Sequence, residues 1–289
     1  MPPKPTITII GAGNLAQALA PALHRAGYRI DEVVSRGSPD SRRRARTLAR
    51  RVRARAVDTE KALLAARIIW FCITDDAIAE AARTLANRND WKRKIALHSS
   101  GALSSELLSV LQERGASIGS VHPMMTFVRK SAAGMKDVPF ALEGDPQAVS
   151  LGRRIALDLG GVPFRIAKEN KVLYHAMGSF SSPMVVAVLA LAQRIAAAAG
   201  IPRSNIPAAM RPILLKTLEN YAKNGAAAAF SGPINRGDVE TMRKHLTELQ
   251  KVPLAREAYI ALARAAVEML PVKRKEELLK VLTPGGHSS

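Results

Sequence analysis

Thr6-Ile7-Thr8-Ile9-Ile10-Gly11-Ala12-Gly13-Asn14-Leu15-Ala16 decides how this chain folds. Five β-branched residues predict a strand. They run straight into G-x-G-x-x-A, and residues 14–26 then place Leu15, Leu19, Ala22 and Leu23 at helical spacing before Gly27. Gly11 permits a tight turn, Gly13 lets a ligand approach the backbone, and Ala16 lets the helix pack closely on the strand. Free amides and the positive end of the helix dipole then favour a phosphate. The stretch reads as a dinucleotide turn made of Gly11, Ala12, Gly13, Asn14, Leu15 and Ala16, against the plainer reading of a glycine turn without a ligand.

Working outward, strands are expected at residues 30–35, 55–57, 67–73, 95–98 and 117–121, with helices at 41–53, 75–86 and 104–112 between them. Asp58 is expected to cap the segment that follows it. The alternation predicts a doubly wound α/β domain with a parallel sheet and right-handed crossovers. Strands at 138–143 and 162–166 flank a helix at 146–159 and extend the sheet edge. Beyond Lys168 the pattern is helical only, at 168–199, 203–223, 238–250, 253–270 and 274–281. The expected architecture is a Rossmann domain over 1–167 followed by an all-α domain over 168–289. Pro183, inside the first of those helices, predicts a kink or break.

The 289 residues are 47% hydrophobic and 23% charged, which excludes wholesale disorder. The single cysteine, Cys72, excludes an internal disulfide, and residues 1–10 lack the order of a secretory signal, so a reducing cytoplasm is expected. The longest apolar stretch, residues 183–192, falls short of a membrane span, and none is expected. The net charge is +19, and residues 36–55 hold nine Arg and one Asp. That run has no aromatic for base stacking, which disfavours nucleic acid as the partner.

An NAD site places a carboxylate at the end of the second strand, against the ribose 2′-hydroxyl. Here that end is Ser35-Arg36, and Asp31 and Glu32 lie at the opposite end. With no carboxylate to repel a 2′-phosphate, Ser35 and Arg36 are read as its donors, with Ser38, Arg42 and Arg43 behind them, and NADP as the cofactor. Ligands of such sheets lie beyond the carboxyl ends of the strands. Ile73 ends the fourth strand, Thr74 and Asp75 follow it, and all three are assigned to the cofactor, as is Ser99 after the fifth; Asp75 and Asp76 more often serve to cap the next helix. His98 and His122 occupy two of these loops, and His175 opens the helical half. An imidazole with an ordinary value near 6.5 exists in both forms at neutral pH, so these three are the candidate proton donors to a small-molecule substrate. Gly232-Pro233-Ile234-Asn235-Arg236-Gly237-Asp238 predicts a rigid corner with Asp238 as cap and Asn235 and Arg236 as substrate contacts. No paired metal-ligand element and no G-x-S-x-G elbow is present, so neither a metal nor a serine nucleophile is expected.

IIGAGNLA, HSSGAL, SVHPMMTF, YHAM and SGPINRGDVETMRKHL together resemble a bacterial family with a Rossmann-like N-terminus and a C-terminal domain of unknown function 2520. That family is similar to the 6-phosphogluconate-dehydrogenase-like group, which includes ketopantoate and pyrroline-5-carboxylate reductases. The resemblance implies a nicotinamide-dependent reductase with its site between the two domains, lined by His175, and a homodimer formed through the helices. It also admits coenzyme F420, which no residue here indicates. One departure is Pro183, where the family often has Asn; a non-catalytic NADP(H)-binding sensor is therefore the alternative function.

Overall fold

A computed structural model describes residues 3–127 and 134–283. Its sheet contains β1 (Ile7–Ile10), β2 (Ile30–Ser35), β3 (Arg55–Asp58), β4 (Ile68–Phe71), β5 (Ile95–His98), β6 (Ser117–Pro123), β7 (Pro139–Gly144) and β8 (Val162–Arg165), in the order β3-β2-β1-β4-β5-β6-β7-β8. Pairing is parallel from β3 through to β6, as the alternating pattern requires. β7 then runs antiparallel to β6, and β8 parallel to β7. The expected edge extension is therefore present, but with its direction reversed, which the βαβ pattern of the first half does not encode.

α1 (Asn14–Arg25), α2 (Pro39–Val52), α3 (Asp75–Ala86), α4 (Ser109–Gln112), α5 (Pro146–Asp158) and α6 (Lys171–Ser181) accompany the sheet. Because successive strand residues face opposite ways, both sheet faces are buried and two cores result. Ile7, Ile9, Leu19, Leu23, Val33, Leu48, Trp70 and Phe140 pack in one. Ile10, Val34, Ile69, Phe71, Ile78, Leu85 and Ile118 pack in the other. The helix expected at 104–112 begins instead as a tighter 3-10 turn, Ser105–Leu108. There the buried Glu143 carboxylate accepts from both the amide and the hydroxyl of Ser105, at 2.8 and 2.7 Å.

Packing divides the chain into one unit at Met1–Phe180 and another at Ser181–Ser289. α6 thus goes with the sheet, beyond the junction expected at 167/168, because Lys171 and Tyr174 are buried there. In the second unit lie α7 (Pro183–Ala198), α8 (Ile206–Ala229), α9 (Pro233–Arg236), α10 (Val239–Glu248), α11 (Pro253–Met269) and α12 (Lys275–Leu282). Met242, Leu246, Ala263, Val267, Leu278 and Leu282 form its core. The break expected at Pro183 is real: Ser182 leaves helical geometry (φ −134°, ψ −82°) and Pro183 opens α7, where its missing N–H is harmless. By length and composition the run Lys168–Ala198 could cross a membrane, a feature the uninterrupted stretch 183–192 does not suggest. The break at Ser182 leaves 11 residues in α6 and 16 in α7, each short of the roughly 20 a straight span needs.

Glu32, 3% exposed, anchors the sheet edge rather than a ligand. Its carboxylate accepts from the amides of Leu63 (3.2 Å) and Leu64 (3.0 Å) and pairs with Arg55. Glu32→Ala leaves those amides unsatisfied and is expected to cost about 3 kcal/mol in urea unfolding. Glu32→Gln, which keeps an acceptor, should cost less than half of that. Equal losses would show that hydrogen bonding is not what Glu32 supplies.

Candidate active site

The turn at Gly11 is fixed by backbone and by space. Gly11 has φ +102° and donates to the Val34 carbonyl at 2.8 Å; a Cβ there would lie 2.6 Å from both the Cys72 oxygen and the Ile73 side chain. At Gly13 a Cβ would meet nothing closer than the Cys72 oxygen, 3.9 Å away, so the backbone faces open space. Gly13 is also the N-cap of α1 and brings no side chain to cover the first amides. The Asn14 side chain turns aside and donates to the Phe127 carbonyl at 3.1 Å, fastening the loop after β6. Ala16 is fully buried, while Ala12 and Leu15 pack against the core. A bare helix N-terminus with an open approach fits a pyrophosphate.

Around this turn, Ile73 lies against Gly11 and Thr74 is the N-cap of α3 without a side-chain bond. Asp75 is not the cap. Its carboxylate accepts from the Ser100 hydroxyl at 2.7 Å. Ser99 points to the sheet core, where it accepts from the Trp70 indole at 2.8 Å.

The end of β2 differs from expectation. Ser35 and Asp58 are register partners on adjacent parallel strands, and the Ser35 hydroxyl donates to Asp58 at 2.9 Å. Asp58 does not cap the following turn, because Arg42 takes its carboxylate through Nε at 3.1 and 2.9 Å and through a terminal nitrogen at 2.9 Å. A carboxylate does stand at this end, delivered by β3, and Ser35 has spent its proton on it. Arg36 is exposed and makes no hydrogen bond or ion pair among the described residues. Arg43 pairs with Asp40. Ser38 caps α2.

Beyond β5 and β6 lies a second polar centre, organised by a residue absent from the sequence-level candidates. Lys171 is fully buried, and its ammonium donates to the Ser100 carbonyl (3.1 Å) and the Ser120 hydroxyl (2.8 Å). One helical turn onward, Tyr174 lies 2.8 Å from His122 Nδ1, with the two rings edge-on at 5.6 Å. The His175 ring lies 6.3 Å from that of His122. Gly101 packs between them: a Cβ there would come within 2.7 Å of His175 and 2.8 Å of His122. His122 and His175 are thus brought together. His98 is fully buried, with Nδ1 accepting from the Ser100 amide (3.1 Å) and Nε2 facing the Ser104 carbonyl (3.0 Å).

Electrostatics follow from this burial. Desolvation, then the Lys171 charge, pulls His98 down to about 4. The same two causes, with His175 as a third, pull His122 to about 4. Both imidazoles are therefore neutral at neutral pH, not divided between two forms as their ordinary value implies. Burial lowers Lys171 and pushes the Tyr174 hydroxyl up to about 12, so Tyr174 keeps its proton.

In the helical unit, the Asn235 side chain donates to the Pro271 carbonyl at 2.8 Å and so fastens a loop, while Arg236 is exposed. Asp238 caps α10, accepting from the amide and hydroxyl of Thr241 at 3.1 and 2.7 Å. Among the described residues no group of three or more His, Cys, Asp or Glu could hold a metal.

Comparison with known proteins agrees with these features. Residues 1–123 match the Rossmann-like domain, and residues 138–266 match the domain of unknown function 2520. The chain is therefore a Rossmann-like protein carrying that C-terminal domain. A provisionally assigned NADP oxidoreductase from Bacteroides fragilis is 26% identical, with a TM-score of 0.75, over 91% of this chain and 97% of that one. A Thermotoga maritima protein is 27% identical, with a TM-score of 0.73 and the same coverage. An imine reductase from Myxococcus stipitatus, solved with NADP+, shares the fold at 18% identity and a TM-score of 0.66, over 95% of this chain and 98% of its own. No curated protein matches the chain. The Bacteroides fragilis protein and the imine reductase are oxidoreductases that use nicotinamide dinucleotides by their descriptions, and this chain shares their fold.

The buried histidines make stability pH-dependent with a definite sign. Below its ordinary value, near 6.5, His98 takes up a proton in the unfolded chain but not in the folded one until about pH 4. Stability should therefore fall as pH drops from about 6.5 toward 4, by roughly 3 kcal/mol from His98. Urea unfolding from pH 7 to 4.5, compared with His98→Gln, checks this. A variant with the same pH slope as the parent would contradict it.

Proposed function

We propose that the protein is an NADP-dependent oxidoreductase acting on a small carbonyl, imine or hydroxy compound. One observation carries the reading: a bare, open helix N-terminus after β1, and a centre made of the buried Lys171 and His175 on α6 with His122 on β6, belong to the parallel strands of one sheet. Gly11, Ala12, Gly13, Asn14, Leu15 and Ala16 would hold the pyrophosphate, and Arg36, with its free guanidinium, the 2′-phosphate. Bound nicotinamide supplies the hydride.

The chain's own residues do the rest. Lys171 holds the Ser100 carbonyl and Ser120 in place, which sets Gly101 against the two imidazoles. Tyr174 fixes the ring of His122, and that neutral ring is available as a hydrogen-bond partner for a polar substrate atom. His175 is exposed beside it and is the proton carrier to that atom. Neither residue at the helical corner is needed for this step, and Asn235 is committed to Pro271. A single cysteine leaves no internal disulfide to form, and we propose a cytoplasmic location on that ground.

A second copy is the natural cover for α7 and α8, which expose Met184, Val185, Val186, Val188, Ile213, Leu215, Leu218 and Tyr221. Light scattering is expected to give a dimer, and Val186→Glu with Leu218→Glu a monomer. A monomeric parent, or one that partitions into lipid vesicles, would contradict this.

For catalysis, NADPH oxidation should be screened against 2-oxo acids, cyclic imines and aldehydes. With a substrate in hand, His175→Ala and His122→Ala should each lose about a hundredfold or more in kcat. Arg36→Glu should weaken NADPH without weakening NADH. NADPH binding with no turnover on any class would favour the sensor reading, and unchanged rates in both histidine variants would remove them from the chemistry.

A further inference from the structure

Beside the end of β2 lies a recess of about 190 Å³ lined by Ser35, Arg42, Ala45, Arg46, Ala56, Val57, Asp58 and Lys61. Three cations and one carboxylate face it, so it carries a net charge of about +2 and suits a phosphate monoester. Its position follows from the sheet. β2 is the neighbour of β1, and the residue ending β2 is the one that meets the ribose 2′ position in a dinucleotide fold. That residue is Ser35, whose hydroxyl is committed to Asp58.

We infer that Asp58, delivered by β3, limits the preference for NADPH over NADH that the surrounding cations create. The inference rests on the dinucleotide reading of the Gly11 turn and deepens it. Asp58 acts in two ways, both in the same direction. Its carboxylate occupies the Nε side of the Arg42 guanidinium, so a 2′-phosphate meets an arginine already neutralised. Its side chain is also 26% exposed, which leaves a partial negative charge able to accept from a ribose hydroxyl and to oppose a phosphate. Arg46, Lys61 and the free Arg36 pull the other way. The parent should therefore bind both nucleotides, with a preference for NADPH that Asp58 holds down.

The test is the ratio of Kd for NADH to Kd for NADPH, by calorimetry or fluorescence, with 2′,5′-ADP and 5′-AMP as probes lacking the nicotinamide. Asp58→Asn keeps an acceptor for Ser35 and Arg42 and removes the charge. It is expected to raise the ratio about tenfold, mainly by tightening NADPH, and to raise the preference for 2′,5′-ADP over 5′-AMP in parallel. Lys61→Glu, at an exposed position that the fold does not use, should lower both ratios. A parent that binds no nucleotide would overturn the dinucleotide reading and this inference with it. A parent that binds, with a ratio unchanged or lowered in Asp58→Asn, would overturn the assignment of Asp58 alone.

Discussion

A buried ammonium must find hydrogen-bond acceptors or lose its charge, and in this protein Lys171 finds them in the Ser100 carbonyl and the Ser120 hydroxyl. That requirement ties α6 to the ends of β5 and β6. Ser100 in turn donates to Asp75, on the first turn of α3, so one network joins the start of α3, the loop after β5 and the body of β6. Tyr174 and His175, three and four residues beyond Lys171, are carried onto His122 by the same attachment. The neutral state of His98 and His122 is a further consequence, since the Lys171 charge adds to desolvation at both rings.

The glycine turn between β1 and α1 was readable in the sequence because all its determinants are local. Gly11 needs a positive φ, Gly13 needs to lack a side chain, and both follow a β-branched strand directly. The break before Pro183 was readable for a similar reason: a missing donor acts on its own turn. Lys171 was not. In a basic chain of +19 one more lysine carries no signal, and only its spacing of three and four residues to Tyr174 and His175 could have marked it as sharing their face. Asp58 was misread because cross-strand register decides its partner, and register is a property of the folded sheet. The direction of β7 and the lowered values of the two histidines are tertiary in the same sense.

Charge shows the contrast at its plainest. The arginine run over residues 36–55 gives the chain much of its excess charge, yet its members differ by where each side chain ends. Arg42 is bound by Asp58, Arg43 and Arg44 share Asp40, and Arg55 serves Glu32 at the sheet edge. Arg36 alone extends directly from the end of β2 without such a partner among the described residues. Net charge thus says little about a ligand, while the pairing of individual guanidinium groups says which of them can receive one.

The central claim is that a single sheet end holds the dinucleotide at Gly11–Ala16 and presents His122 and His175 to its reactive half. The most direct measurement is a nuclear magnetic resonance titration that follows the backbone amides of residues 12–16 together with the imidazole signals of His122 and His175. The account predicts that 2′,5′-ADP moves only the amides, whereas NADPH moves both the amides and the imidazoles in one saturating transition. Imidazole signals untouched by saturating NADPH, or amides untouched by either compound, would contradict it.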